Sequence, residues 1–225
     1  MNHKPFNASY TSIRDDLIKY IEGKNLRVFD VGCSTGTNGV FLKKNGIASY
    51  LLGVEIDKEM GSIAKKNYDE VLIGNLEDPE LLKKIPLGFF DYILLGDVLE
   101  HLVNPWEILL HLSKAIKKNG KIIISIPNIQ HIDTFIHLFL KGYWPYNKRG
   151  LYDKTHLRMF TKKNIEELIE FANLKIITIE RKFRFRDEIG SSFPRYGGVL
   201  KKVFPNLFTF QYIVVCRLKN IHKTE

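Results

Sequence analysis

Two carboxylates and a histidine lie close together in the sequence at Asp97, Glu100 and His101. Carboxylate oxygens and imidazole nitrogens are ligands for Mg²⁺, Mn²⁺ and similar ions. The same groups can take a proton from a hydroxyl as a general base. If Asp97 begins a helical turn, the three side chains share one face, because residues i, i+3 and i+4 are neighbours on a helix. The spacing therefore predicts a cation site or a basic centre, with helix capping as the structural alternative.

A glycine-rich loop is the strongest local pattern in the chain. The segment Val28–Gly39 reads VFDVGCSTGTNG and joins a predicted strand to a predicted helix. Glycines let the backbone turn sharply beside a ligand, and the helix N-terminus favours a negative group. Glu55 closes the next predicted strand, where a carboxylate can accept hydrogen bonds from ribose hydroxyls. The spacing matches neither the dinucleotide fingerprint nor the P-loop, so it favours a nucleoside with a short amino-acid tail.

The composition is typical of one globular domain with a basic surface. The 225 residues are 44% hydrophobic and carry a formal net charge of +9. Because the lysines are scattered in pairs near predicted helix ends, we expect a Lys-rich surface first, an anionic small substrate second and RNA third. Cys33 and Cys216 are predicted to be reduced thiols. No apolar run can span a bilayer and Met1–Tyr10 lacks an export signal, so a cytoplasmic location is expected, whereas the oligomeric state is left open.

Apolar strands alternate with helices along most of the chain. Strands are predicted at Leu26–Val31, Tyr50–Glu55, Val71–Ile73, Phe89–Leu95, Lys121–Ile126, Leu174–Phe185 and Phe208–Leu218. Helices are predicted at Asn38–Lys44, Lys58–Asn67, from the cap Asn104 to Asn119-Gly120, and from the cap Thr161 to about Asn173. Uniformly apolar strands separated by helices predict a doubly wound, Rossmann-like α/β fold. Its seven-stranded sheet would be mostly parallel, with an antiparallel C-terminal hairpin at one edge.

Two long connections depart from this regular alternation. Residues 128–160 follow the fifth predicted strand and are rich in aromatic side chains, and residues 186–206 separate the last two strands. Long connections inside a compact domain are usually lids or binding loops, and ligands of doubly wound sheets bind beyond the carboxyl ends of the strands. We therefore expect one domain over residues 1–225, with both connections as insertions on the substrate side.

Taken in order, these motifs resemble those of class I S-adenosylmethionine-dependent methyltransferases. Four segments carry the resemblance, which covers roughly the first three-quarters of the chain: Asp30–Gly36, Gly53–Asp57, Gly74–Glu77 and Gly96–Pro105. The later segment Tyr152–Thr161 is similar to a subgroup found beside glycosyltransferases in surface-polysaccharide pathways, an association that says little about the substrate.

The resemblance implies S-adenosylmethionine as the cofactor and assigns contacts to it. Asp30, Gly32, Cys33, Ser34 and Gly36 belong to the loop around its methionine part. Elsewhere Glu55 would bind the ribose, Ile56 and Leu76 would sandwich the adenine, Asn75 would bond its edge, and Asp97 would lie near the sulfonium.

The spacing of Asp97, Glu100 and His101 also resembles an E-x-x-E-H element of two metal-assisted groups. These are the ubiquinone-pathway O-methyltransferases and the small-RNA 3′-terminal ribose 2′-O-methyltransferases. Asp97 replaces the first glutamate, and His156 corresponds to a downstream histidine of the RNA group. The resemblance thus implies a Mg²⁺ or Mn²⁺ site formed by these four residues. Metal-free base catalysis by His101 or His156, with Glu100 beside them, is the other interpretation.

The leading functional hypothesis is methylation of a hydroxyl on a small or carbohydrate-like acceptor. RNA ribose methylation is one alternative, and a non-catalytic cofactor-binding protein of the same fold is another. Weaker candidates on the substrate side are His131, Tyr143–Tyr146, Lys154 and Arg158. Tyr10 and Arg14, upstream of the first strand, are expected to close over the cofactor.

Overall fold

A seven-stranded sheet organises the computed structural model, which describes residues 12–188, 191–195 and 197–219. The strands are β1 Leu26–Val31, β2 Ala48–Glu55, β3 Glu70–Ile73, β4 Phe90–Gly96, β5 Ile116–Pro127, β6 Leu174–Phe183 and β7 Thr209–Leu218. The α-helices are α1 Asp15–Ile18, α2 Thr37–Lys44, α3 Lys58–Ala64, α4 Pro79–Leu82, α5 Pro105–Ala115, α6 Ile132–Phe135, α7 Lys162–Phe171, α8 Gly197–Val203 and α9 Pro205–Phe208. A 3₁₀-helix at Leu99–His101 and a π-helix at Ile136–Leu140 complete the elements.

The strand order is β3-β2-β1-β4-β5-β7-β6. The first five strands are parallel, and β7 pairs antiparallel with both β5 and β6. Because β1 and β4 are neighbours in space, the chain reverses its winding direction there, which is where doubly wound sheets bind ligands. The predicted fold and its antiparallel edge hairpin are confirmed.

Apolar side chains on both faces of the sheet explain why helices cover it. The larger core cluster includes Phe29, Ile93 and Ile124, and packs against the buried faces of α5 and α7. The second cluster lies on the opposite face. It includes Val28 and Leu51 of the sheet together with the buried side chains of α1 and α2. Burial of the central strands on both sides fixes the sheet, and the carboxyl ends of β1, β2, β4 and β5 then form a rigid edge for the site.

The junction of α5 and β5 differs from its prediction. The helix ends at Ala115, and strand pairing already begins at Ile116, which lies opposite Phe90. A β-carbon on Gly120 would lie 2.9 Å from the carbonyl oxygen of Phe90, so the backbones approach too closely there for a side chain. The Asn119-Gly120 signal therefore marks an irregularity inside the strand, whereas the helix stops earlier.

The structure also describes the two cysteines and the length of the helices. Both Cys33 and Cys216 are buried free thiols, and burial raises the pKa of each. Within the described residues, no helix combines the length and apolar character needed to cross a membrane.

Candidate functional site

The loop between β1 and α2 is held by its own backbone. Gly32 and Gly36 take positive φ angles of 71° and 84°, and Ser34 takes 50°. The N–H groups of Gly32 and Cys33 both donate to the carbonyl of Val54 on β2, and the N–H of Gly36 donates to Cys33. No side chain caps the N-terminus of α2. The loop is therefore shaped without a ligand and leaves an uncapped helix end at the carboxyl edge of the sheet, where a negative group is favoured.

Tyr68 fills the space that the neighbouring glycines leave open. A β-carbon would lie 2.2 Å from its ring at Gly39, 2.9 Å at Gly36 and 3.1 Å at Gly53. The missing side chains of Gly36 and Gly39 therefore accommodate an aromatic ring, while the contact of Gly36 with a cofactor stays a prediction. Sequence reasoning missed Tyr68, and the glycines at positions 36, 39 and 53 were its trace in the sequence.

Asp30 lies next to the Tyr68 hydroxyl, and only 3% of its surface is exposed. Its Oδ2 accepts hydrogen bonds from the Tyr68 hydroxyl at 2.7 Å and from the Asn38 amide at 3.4 Å. Burial raises the pKa of Asp30 to about 6, although the hydrogen bonds from Tyr68 and Asn38 oppose that change. Asp30 therefore supports the loop from inside the protein, and its carboxylate does not face an open site.

Glu55 ends β2 directly beside the loop. Its Oε2 accepts a hydrogen bond from the N–H of Ser34 at 2.8 Å, and its Oε1 accepts one from Asp57 at 2.9 Å. Each carboxylate oxygen can accept a second hydrogen bond. The backbone thus orients this carboxylate toward the carboxyl edge of β2 and leaves acceptor capacity on both oxygens.

The residues predicted to contact adenine differ in exposure. Ile56 is 69% exposed, whereas Leu76 is 5% exposed and belongs to the larger core cluster. Asn75 is exposed, and its Oδ1 accepts a hydrogen bond from the N–H of Glu77. This leaves the Asn75 amide nitrogen as the available donor. Leu76 can offer only a small edge to a ligand, because its side chain packs in the core.

Asp97 joins a network separate from the other predicted metal ligands. It follows β4 with a φ of +58°, so the chain turns away and helical geometry begins only at Leu99. Its carboxylate accepts hydrogen bonds from Arg14 Nη1 at 2.7 Å and from Ser125 Oγ at 2.7 Å. Gln211 on β7 donates a further one. The predicted shared helix face is wrong, and Asp97 is not part of the candidate cation cluster.

That cluster consists of Glu100, His101 and His156, with one ligand atom from each lying within 4.8 Å of the others. Glu100 is 1% exposed, and neither of its carboxylate oxygens has a hydrogen-bond partner among the described residues. Burial raises its pKa well above the usual range, and the nearby carboxylate of Asp97 raises it further. Burying a carboxyl group without a hydrogen-bond partner costs folding free energy. Such a group is expected to bind a proton, a cation or a polar group of the substrate.

Backbone pairing brings His156 to Glu100 across a long stretch of sequence. The N–H groups of Leu157 and Arg158 both donate to the carbonyl of Glu100. His156 Nε2 then lies 4.0 Å from Glu100 Oε1, and the two histidine rings are 4.8 Å apart between centroids. Burial lowers the pKa of His156, and the nearby ring of His101 lowers it further, which favours the neutral imidazole.

The hydrogen bonds of Nδ1 fix the tautomer of both histidines. Nδ1 of His156 lies 3.3 Å from the carbonyl of Leu151, which can only accept, so Nδ1 carries the proton. The Thr155 hydroxyl donates to Asp153 at 2.7 Å and contacts His101 Nδ1 at 3.1 Å. Since its single proton is committed to Asp153, this hydroxyl accepts from His101 Nδ1–H, and the Thr155 carbonyl at 3.2 Å can accept from the same group. In each neutral ring Nε2 therefore keeps the lone pair.

Asp153 and Thr155 were not predicted to act in the site. Asp153 is 7% exposed. Burial opposes its ionisation, but hydrogen bonds from the Thr155 hydroxyl and N–H hold its pKa below the usual value. Asp153 therefore supplies a fixed negative charge behind the His101 ring. Both residues lie in the segment Tyr152–Thr161, which resembles a methyltransferase subgroup, but their spacing alone assigns no role to either.

The two insertions contact each other. Arg186 donates a hydrogen bond to the buried carboxylate of Asp133, and Asp187 accepts one from the N–H of Leu151 at 3.0 Å. His131 is fully buried and donates from Nε2 to the carbonyl of Arg184, so this weaker substrate-side candidate has a structural role. The segments 128–160 and 186–206 are thus joined by buried polar contacts.

The remaining predicted residues lie around the site. Arg158 donates to the carbonyl of Val103 and lies over the ring of Trp106, whereas Lys154 is exposed. Arg14 reaches Asp97 and passes beside Gly96, close enough that a β-carbon there would be 3.0 Å from its Nη1. Tyr10 lies outside the described residues.

The sequence is similar to those of known methyltransferases. A family model described as a methyltransferase domain matches residues 5–179. Uncharacterized protein MJ1123 of Methanocaldococcus jannaschii is 32% identical over 151 residues, which cover 66% of each chain. The ubiquinone biosynthesis O-methyltransferase of Coxiella burnetii is 24% identical over 171 residues, covering 72% of this chain and 70% of that protein.

A solved structure extends the likeness to the fold. The crystal structure of an S-adenosylmethionine-dependent methyltransferase from Archaeoglobus fulgidus superposes with a TM-score of 0.64 at 21% identity, covering 88% of both chains. The family model covers most of the sequence. This chain therefore belongs to the methyltransferase domain family and has the fold of the S-adenosylmethionine-dependent methyltransferases.

Proposed function

We propose that this methyltransferase transfers the methyl group of S-adenosylmethionine to a hydroxyl oxygen of a small or carbohydrate-like acceptor. The observation that carries this proposal is the convergence of the unpartnered Glu100 with two tautomer-fixed histidines, His101 and His156, just beyond β4. Hydroxyl acceptors need such a centre because an unactivated hydroxyl is a weak nucleophile. The similarity to a ubiquinone biosynthesis O-methyltransferase supports the same chemistry.

The cofactor half of the site fits a nucleoside with an amino-acid tail. Glu55 has a free acceptor position on each oxygen for the two ribose hydroxyls, and the exposed Ile56 offers an apolar face to the adenine. The Asn75 amide can donate to the edge of the base. The uncapped N-terminus of α2 suits the carboxylate of the methionine part, and Asp97, paired with Arg14 after β4, would lie near the sulfonium.

His101 is the residue best arranged to accept the hydroxyl proton. Asp153 acts through Thr155 to hold Nδ1–H in place, so Nε2 has the lone pair. As the acceptor oxygen attacks the methyl carbon, the carbon–sulfur bond breaks and the electron pair stays on sulfur. The hydroxyl proton moves to Nε2. The products are the methyl ether, S-adenosylhomocysteine and an imidazolium that Asp153 stabilises.

The same three residues also fit a divalent cation. Two Nε2 lone pairs and one carboxylate are a common donor set for such ions, and each imidazole is oriented by a hydrogen bond from its other nitrogen. A bound cation would supply Lewis acidity that lowers the pKa of an acceptor hydroxyl. In this form Glu100, His101 and His156 would hold the ion.

Calorimetry tests the cofactor half. S-adenosylmethionine should bind the wild type in the micromolar range, with NAD as the negative control. Glu55→Ala should weaken binding by at least tenfold, whereas Glu80→Ala, which removes an exposed carboxylate on α4, should leave it unchanged. Equal binding of NAD, or an unaffected Glu55→Ala protein, would reject the assignment.

Transfer of a labelled methyl group tests the acceptor half. Acceptors to compare are phenolic hydroxyls, sugar hydroxyls, amines and an RNA oligonucleotide with a free 3′-terminal ribose. Labelled methyl ether formation that His101→Ala abolishes is the expected result. Activity that survives chelation by EDTA would eliminate the cation, and transfer to nitrogen alone would eliminate O-methylation.

A further inference from the structure

The insertion 128–160 carries a group of exposed large apolar side chains, called here the apolar tip. Its members are 45% to 75% exposed: Phe135, Leu138, Phe139, Leu140, Tyr143 and Tyr146. The rings of Phe135 and Phe139 stack on each other at 5.4 Å between centroids. Large contiguous apolar patches on a protein surface mark sites that bind proteins, ligands or membranes.

The base of the tip is anchored, so these side chains do not turn into the core. Tyr152 is 2% exposed and contacts the ring of Trp144 at 5.1 Å and that of His137 at 5.3 Å. Asp133, at the start of α6, is buried and paired with Arg186. The inward face of the segment is therefore already packed, and the outward face is left for a partner.

Four cationic residues lie among or after the tip residues in the sequence of the same insertion. Lys141, Lys148, Arg149 and Lys154 are exposed, and none forms an ion pair within the part of the chain that the structure describes. Both acidic residues of the insertion, Asp133 and Asp153, are buried. The exposed charges of the insertion itself are therefore basic and complement a negatively charged partner, and Asp187, which accepts from the N–H of Leu151, is a nearby acidic group from the second insertion.

We infer that the apolar tip and the cations of the same insertion bind the surface of an anionic lipid bilayer. Exposed Phe, Leu and Tyr side chains enter the boundary between headgroups and acyl chains, while lysine and arginine contact the lipid phosphates. RNA is the other polyanion with this charge, but Leu138 and Leu140 have no ring to stack on bases. A protein interface is less favoured, because three of the four cations are lysines and lysine is depleted in protein interfaces.

Binding at this surface would orient the site toward the bilayer. His156 and Asp153 belong to the same insertion as the apolar tip, and the tip follows the carboxyl end of β5. Membrane binding itself requires no methyl transfer. It can therefore be measured whether or not the proposed acceptor chemistry is right.

Vesicle flotation of the full chain provides the test. Vesicles of phosphatidylcholine with about one-third phosphatidylglycerol should carry the wild type upward, and pure phosphatidylcholine vesicles should carry at least tenfold less. The double variant Phe139→Ser/Leu140→Ser and, separately, Lys148→Glu/Arg149→Glu should each reduce the bound fraction at least tenfold. Leu87→Ser is the matched control, because Leu87 is 64% exposed but precedes the opposite end of β4.

Circular dichroism and urea unfolding establish that each variant is folded. Equal flotation of wild type and both double variants would overturn the inference, as would an equal loss with Leu87→Ser. Light scattering and filter binding decide between the other occupants. A concentration-dependent dimer that Phe139→Ser/Leu140→Ser abolishes, without flotation, would assign the tip to a second copy of this chain. Salt-sensitive RNA binding lost in Lys148→Glu/Arg149→Glu, without flotation, would assign it to RNA.

Discussion

The hydroxyl of Tyr68 donates a hydrogen bond to the buried carboxylate of Asp30 at 2.7 Å and accepts one from the N–H of Gly39 at 3.1 Å. This pair joins the end of β1 to the first turn of α2 through a residue that follows α3. The glycine loop between β1 and α2 therefore owes its shape to an internal aromatic ring. A ligand at the loop would meet a surface that is already formed, which lowers the entropy lost on binding.

Adding one methyl group at Gly39 should disturb this arrangement. The new β-carbon would lie 2.2 Å from the Tyr68 ring, so the ring or the helix must move. Gly39→Ala is expected to lower the free energy of unfolding by about 1–3 kcal/mol, the usual cost of overpacking, and to weaken S-adenosylmethionine binding. Urea unfolding and calorimetry measure the two effects. Gly198→Ala, in α8 with nothing within 4 Å of its β-carbon, should be neutral or slightly stabilising.

Asp30 should make the stability of the protein depend on pH. Its pKa is about 6 in the folded state and near 3.8 when unfolded, so between these values the folded protein binds the extra proton. Stability from this group is therefore greatest at low pH and is lost as pH rises through about 6. Relative to the wild type, Asp30→Asn should gain up to about 3 kcal/mol in unfolding free energy from pH 4 to pH 7.

Urea unfolding of both proteins at a series of pH values gives that difference directly. Asparagine can still accept the Tyr68 hydroxyl hydrogen bond, so the comparison isolates the charge. A stability difference that stays constant across the series would mean that Asp30 is already neutral or already fully compensated at every pH tested.

Local spacing predicted the parts of the site that follow one another in sequence. The loop, Glu55 and the alternation of strands and helices depend on short-range patterns, and the sheet then brings their carboxyl ends together. The separation of Asp97 from Glu100 and His101 could not be predicted, because one positive φ angle breaks the helical turn that its spacing suggested. Tyr68 and Asp153 act through tertiary contacts, which residue type and spacing do not reveal. Tyr68 packs its ring against three glycines, and Asp153 accepts a hydrogen bond from the Thr155 hydroxyl.

The buried carboxyl group of Glu100 should lower the free energy of unfolding at high pH, although methyl transfer depends on it. Its buried carboxyl group has no partner among the described residues and a raised pKa, so stability from its protonated form is lost as pH rises through that pKa. Glu100→Gln removes the charge. The variant should match the wild type near pH 4, unfold at higher urea concentration at pH 8, and lose at least about a hundredfold in methyl transfer.

The matched control is Glu107→Gln, which removes an exposed carboxylate from the first turn of α5. It should change neither activity nor the pH dependence of stability. If Glu100→Gln were less stable than the wild type at pH 8, the carboxylate would have a stabilising partner in solution, such as a bound cation. Repeating the measurement in EDTA would then identify that partner.

Thr155 should affect the rate without affecting cofactor affinity. Its hydroxyl links Asp153 to Nδ1 of His101, and Thr155→Val keeps the shape of the side chain but removes that link. The Thr155 carbonyl, 3.2 Å from Nδ1, still holds the proton there, but the link to the Asp153 carboxylate is lost. We therefore expect kcat to fall by about tenfold, the lower end of the usual effect of removing such a hydrogen bond. KM for S-adenosylmethionine should stay unchanged. Thr155→Ser restores the hydroxyl and should restore most of the rate, whereas equal loss in both variants would mean that Thr155 matters only for packing.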